Sequence, residues 1–178
     1  NALYQRVKAN PQYSLSIFTA LSLGRPKASS ELERRFLNPF VERVFADYPE
    51  LDYLSDLRAR KTPSNIEIYE FFFQPASMLG NEHAQHHYFR CNYTQAVRDI
   101  DARGFNVLAQ LVAYDPSRPG KVSLSCNPEV SLDLMPRIQA RRDKGEAILV
   151  IGQSHASLPY MPNDAEVSES IFDLLIDD

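Results

Sequence analysis

The densest group of chemically capable side chains is Glu82-His83-Ala84-Gln85-His86-His87-Tyr88-Phe89-Arg90-Cys91. On a helix, His83, His87 and Cys91 fall at i, i+4 and i+8 and share one face, and imidazole and thiolate are both zinc ligands. The spacing matches neither HExxH nor a paired CxxC, and one helix rarely supplies a complete site. No metal is therefore expected, and histidines that pack or line a cleft are the plainer reading.

A second concentration is Gly152-Gln153-Ser154-His155-Ala156-Ser157-Leu158-Pro159-Tyr160-Met161-Pro162-Asn163-Asp164-Ala165-Glu166-Val167. It follows the apolar run Ala147 to Ile151, and loops after buried strands are where α/β enzymes keep binding groups. A proline-stiffened surface loop is the alternative. On extended backbone Asp164 and Glu166 would face the same way and could share a proton as an acid and base pair. Their duller roles are to solubilise the loop or to cap a helix near Ser168 to Ser170. The sequence has no GxSxG, GxxxxGK[ST] or GxGxxG pattern, and its 6 glycines leave little for a glycine-built phosphate cradle. A thiol and base pair would require Cys91 or Cys126 to meet His155 in the fold.

These groups need elements to hold them. A helix is read over Leu3 to Ala9, stopped by Asn10-Pro11, and a β-prone segment over Tyr13 to Leu21, bounded by Gly24 and Pro26. Ser29 and Ser30 supply an N-cap, and Leu32, Phe36, Phe40, Val44 and Phe45 lie on one side of the helix that follows, with Pro39 as a kink. Asn65 to Phe73 alternates and then turns continuously apolar, as a strand does on entering a covered sheet. Asn92-Tyr93-Thr94 caps a helix from Gln95 to Ala102, closed by Gly104. A strand Asn106 to Tyr114, a turn Asp115 to Gly120 and a short strand Lys121 to Ser125 come next. Pro136 would remove an intrahelical bond, so Asn127 to Lys144 is read as a turn and then a helix starting at Pro136, stopped by Gly145. Glu146 to Gly152 has the composition of a buried parallel strand. Helix followed by apolar strand, repeated, predicts a mostly parallel sheet covered on both faces.

Composition bounds what this arrangement does. The chain has 178 residues, enough for one domain with a real core, and 44% hydrophobic with 24% charged residues excludes a wholly disordered or coiled-coil chain. A net charge of -4 without a dense basic stretch argues against nucleic acid as a partner. The apolar runs are too short to cross a bilayer, and no basic region leads into an apolar one at the N-terminus, so no membrane association or export is expected. Two cysteines suit reduced thiols in a cytoplasmic protein rather than a disulfide scaffold. The start at Asn1-Ala2 without methionine, and the closing Phe172-Asp173-Leu174-Leu175-Ile176, lead us to expect flanking sequence in the natural polypeptide.

The order of features from Asn106 onward resembles the amino-terminal half of the acetyl-CoA hydrolase/transferase family, which contains acetate and 4-hydroxybutyrate CoA-transferases. The stretches that carry the resemblance are Val107 to Gly120, Val122 to Ser125, Ala147 to Ile151, Gln153 to Val167 and Ser170 to Leu175. They follow the family's D-x-x-G turn with a Ser-Leu stretch, its Q-x-N-x-x-M-P-x-x-x-G-D segment and its final I-x-x-[FI]-D run. Weaker similarity reaches upstream through Ser16 to Leu23 and Asn92 to Thr94.

The resemblance implies a three-layer α/β/α domain with a mostly parallel sheet, CoA-transferase-like, forming a single domain over residues 1–178 of a larger two-domain enzyme. It implies a coenzyme A thioester as substrate, and an acyl-CoA and a small carboxylate such as acetate as partners. A glutamate carboxylate would attack the thioester and form a glutamyl-CoA intermediate, resolved by a carboxylate or by water. That glutamate belongs to a carboxy-terminal catalytic domain and is expected outside this chain, leaving the chain inactive alone. A homodimer is compatible with this picture. Gln153, Pro159 and Asp164 match the family's substrate-facing loop, and His155, Tyr160 and Asn163 lie within it. His155 stands where Asn is usual and Asn163 where Gly is usual; Asn tolerates a left-handed backbone, so the turn can survive. A non-catalytic module on the same fold, sensing acyl-CoA or binding a protein, is the alternative that these departures motivate.

Overall fold

The computed structural model describes residues 1–177, and the chain forms two compact units, Asn1–Cys91 and Asn92–Asp178. In the first unit, α1 (Ala2–Lys8) precedes β1 (Leu15–Thr19), α2 (Glu31–Val44), α3 (Asp52–Arg58), β2 (Ile66–Glu70) and α4 (Glu82–His86). β1 and β2 pair in parallel from Leu15↔Ile66 to Thr19↔Glu70. Tyr4, Val7, Leu54, Leu57, Ile66, Ile68 and Ala84 form the core beneath them.

Ser30 caps the start of α2, its Oγ accepting from Glu33 N–H at 3.2 Å, and the Glu33 carboxylate reaches back past the cap to accept from Ser29 N–H at 2.7 Å. Pro39 lies inside α2, and none of the helix's residues is buried. The apolar side anticipated for it is thus uncovered in this unit, with Leu32 78% and Phe36 83% exposed.

Two expectations fail here. The strand read through Phe73 ends at Glu70, and an irregular stretch follows. The helix meant to align His83, His87 and Cys91 is five residues long and closes at His86. Its Asn81 side chain caps Ala84 N–H at 3.1 Å, and His87 already leaves the helical region as the C-cap, so Cys91 shares no helical face with the histidines.

The second unit runs α5 (Ala96–Asp101), β3 (Val107–Tyr114), β4 (Lys121–Ser123), α6 (Glu129–Arg142), β5 (Leu149–Ser154), β6 (Glu166–Ser168) and β7 (Leu174–Ile176). The sheet order is β6-β4-β3-β5-β7. β3 with β5 and β5 with β7 are parallel, while β4 runs antiparallel to both its neighbours. Over both units three of the five strand ladders are parallel, so the chain is α/β. Val112, Val122, Leu124, Leu134, Ile138 and Val150 are the centre of its core.

The break expected at Pro136 is absent: α6 is continuous from Glu129, with Pro136 in its interior. Proline forfeits one intrahelical bond. Tertiary packing offsets that loss, because Ser131, Leu134 and Ile138 are buried and Ser131 Oγ donates to Gln110 Oε1 on β3 at 2.6 Å. Gly152 marks another close approach. A Cβ built there would lie 2.6 Å from Leu175 Cδ2 and 3.0 Å from Phe172 Cδ1, so its hydrogen is what lets β7 and the preceding turn lie on β5. Among the described residues no helix is long and apolar enough to cross a membrane.

Candidate functional site

The structure resolves the Gly152–Val167 segment into parts. Gly152, Gln153 and Ser154 end β5, His155 to Pro162 is irregular, Asn163–Ala165 is a 3₁₀ turn, and Glu166 begins β6. The segment therefore leaves from the carboxyl end of a parallel strand, the position where open α/β sheets bind ligands.

Two buried serines hold it. Ser123 Oγ accepts from Met161 N–H at 2.9 Å and donates to the Met161 carbonyl at 2.7 Å, while Ser125 Oγ donates to the Pro159 carbonyl at 2.9 Å. His155 N–H extends the β3 ladder to Val112 O at 3.1 Å, and its ring Nδ1 accepts from Ser157 N–H at 3.2 Å. Asn163 adopts φ +64°, the left-handed backbone that its amide side chain tolerates.

Tyr160 and Glu166 close the segment. Tyr160 Oη donates to Glu166 Oε2 at 2.8 Å, and the Arg118 guanidinium pairs with the same carboxylate while lying 5.5 Å from the Tyr160 ring centroid. The Tyr160 hydroxyl first, and Arg118 next, hold the Glu166 carboxyl below the usual carboxylate range. Glu166 is thus kept ionised by partners other than Asp164, which is exposed in the 3₁₀ turn. The proton-sharing Asp164 and Glu166 pair does not form. Nor does Asp164 cap the next turn: Ser168 Oγ accepts from Ser170 N–H at 3.3 Å. Cys126 is exposed, and its Sγ meets Ser125 Oγ at 3.6 Å rather than the His155 ring. Gln153, Asn163 and Asp164 are exposed, and among the described residues no side-chain hydrogen bond commits them. The segment thus combines a backbone fixed at Pro159 and Met161 with exposed amide and carboxylate groups.

The first unit holds a site that the sequence reading passed over. The alternation of β2 turns Ile66, Ile68 and Glu70 to the buried face, leaving Glu70 1% exposed at the strand's carboxyl end. Glu70 Oε1 accepts from Ser22 N–H at 3.0 Å and from the Ser22 hydroxyl, whose Oγ is in turn 2.8 Å from Tyr53 Oη. Among the described residues the second carboxyl oxygen has no hydrogen-bond partner. Burial pushes the Glu70 carboxyl up, and the two Ser22 hydrogen bonds and, after them, the charge of Arg58 pull it part of the way back. A cavity of about 230 Å³ opens here, lined by Ser22, Arg58 and Glu70 among apolar Leu21, Leu54 and Met78. The signal was available in sequence: a lone acid in phase with Ile66 and Ile68.

The histidine cluster turns out to serve packing. His83 Nε2 accepts from Ile68 N–H at 3.2 Å, its ring stacks on His87 at 4.1 Å, and His87 Nε2 lies 3.9 Å from Glu67. Burial holds the His83 imidazole below its ordinary value, which keeps Nε2 free to accept.

No family model matches the chain, and no curated protein is significantly similar to it. Among solved structures, a 4-hydroxybutyrate CoA-transferase from Porphyromonas gingivalis aligns with 98% of this chain at 14% identity and a TM-score of 0.40. This chain spans 38% of that protein's length.

Proposed function

We propose that the chain is a CoA-transferase-like α/β domain of an acyl-CoA hydrolase or CoA-transferase, and that Gln153, His155, Pro159, Tyr160, Asn163 and Asp164 form its substrate-facing loop. The observation that carries this reading is the loop itself. It leaves the carboxyl end of β5, is clamped at Pro159 and Met161 by Ser125 and Ser123, and leaves Gln153, Asn163 and Asp164 uncommitted. The motif order from Val107 to Leu175 supports it independently.

In this account the chain's residues bind and orient, and the covalent step is done elsewhere. The nucleophilic glutamate lies in a carboxy-terminal domain of the same polypeptide, where it attacks the acyl-CoA to give an acyl-glutamyl anhydride and CoA thiolate; the thiolate then displaces the acyl group as its free carboxylate and leaves the glutamyl-CoA thioester, whose CoA is released by water or transferred to a small carboxylate. In this reading the Gln153 amide donates to a thioester carbonyl as negative charge develops on it. Free thiol release and calorimetric binding, measured together on this chain with acetyl-CoA, test the reading. The expected result is binding without turnover, weakened about tenfold by Gln153→Ala, the scale of one good hydrogen bond. Turnover by this chain alone, or no binding at millimolar acetyl-CoA, overturns it.

A further inference from the structure

The cavity beside Glu70 lies wholly within Asn1–Cys91, at the carboxyl ends of the parallel strands β1 and β2. Its chemistry is set by two opposite charges that do not touch. Glu70 is one of them, anchored through one oxygen by Ser22 and open at the other. A buried carboxylate with an unpaired oxygen is costly unless a donor or cation completes it.

Arg58 is the other. Its guanidinium lines the same cavity but forms no ion pair or hydrogen bond among the described residues, and it fails to reach Glu70 as a contact pair. It lies against Gly24, where a built Cβ would stand 2.8 Å from both Nη1 and Nη2 and 2.7 Å from Leu54 Cδ2. Glycine at that position is what leaves room for the guanidinium and the leucine together. Leu21, Leu54, Phe73 and Met78 supply the apolar wall between and around the two charges.

We propose that this cavity is a binding site for a small zwitterion, an α-amino acid with an apolar side chain, whose ammonium meets Glu70 and whose carboxylate meets Arg58. A ligand with one charge satisfies one pole and is repelled by the other: an amine faces Arg58, and a simple carboxylate faces Glu70. A zwitterion answers both poles, and an aliphatic side chain answers the wall. The volume of about 230 Å³ is below the range of pockets for drug-sized ligands and suits a single amino acid.

The test needs no coenzyme A, so its outcome is independent of the acyl-CoA reading. The whole chain is titrated with leucine and methionine, and in parallel with 4-methylpentanoate, 3-methylbutylamine and the 2-hydroxy analogue of leucine, which lacks the ammonium. Leucine or methionine is expected to bind and to raise the melting temperature, with each single-charge analogue at least about tenfold weaker. Glu70→Gln and Arg58→Met should each cost about tenfold or more in affinity. Arg58 is an exposed surface residue, so Arg58→Met decides the matter even if Glu70→Gln disturbs folding. No binding of either amino acid at millimolar concentration, equal binding of the plain carboxylate or of the hydroxy acid, or unchanged affinity in Arg58→Met overturns the proposal.

Discussion

Two glutamates show how environment decides what one side chain does. Glu70 is buried against Ser22 and its carboxyl is raised; Glu166 is held by Tyr160 and Arg118 and its carboxyl is lowered. Linkage gives them opposite signs. The stability that Glu70 contributes is full below the unfolded carboxyl value of about 4.3 and is lost as pH rises through its higher folded value. Glu70→Gln should therefore flatten a fall in stability between acid and neutral pH. The contribution of Glu166 is present above that unfolded value and is lost as pH falls through its lower folded one, so Glu166→Gln should be destabilising at neutral pH and silent in acid. Urea unfolding midpoints of both variants against wild type, from pH 3 upward, check the pair; pH dependences of the same sign would contradict it. The left-handed turn at Asn163 was legible because asparagine carries that tolerance in its own chemistry. The fate of Glu166 was not, since Arg118 lies 48 residues away in sequence.

Elements explain why the site is where it is. Ser123 is 0% exposed and bonds both the N–H and the carbonyl of Met161 as well as the buried Ser125 N–H at 3.1 Å, so Ser123→Ala takes a partner from all three backbone groups. The expected cost is about 1–3 kcal/mol. Amide hydrogen exchange at Met161 should accelerate more than at Val150; unchanged protection at Met161 would show that the clamp is not what orders the loop. At Gly152 the added Cβ of Gly152→Ala meets side chains of Phe172 and Leu175, for an expected loss of about 1–3 kcal/mol. Trimming Leu175 to alanine in the same chain should recover part of it, and additive losses would contradict the contact. Local patterning gave away the strands β1 to β5 and the N-cap of α2, because apolar alternation and a serine ahead of an apolar-periodic run are short-range signals. It misjudged Pro136, where burial of Leu134 and Ile138 outweighs a lost backbone bond, and the helix at His83, which lacks the length to reach Cys91.

At the scale of the whole chain, each unit carries its own core: Tyr4, Leu57 and Ile68 in one, Val112, Leu124 and Ile138 in the other. Length and composition read as one domain, because 178 residues suffice for one core and no repeat or low-complexity tract divides them. Residues 92–178 expressed alone should therefore unfold cooperatively, and a non-cooperative thermal melt would contradict this. The Gln153–Asp164 loop and its serine clamp lie entirely in that unit, which makes the central claim open to a direct reading. That measurement is a titration of the ¹⁵N-labelled full chain with acetyl-CoA, followed by amide chemical shifts. The account predicts shifts concentrated at Gln153, His155, Tyr160, Asn163 and Asp164 and diminished in Ser123→Ala. Shifts confined to residues 1–91, or none at millimolar acetyl-CoA, would contradict it.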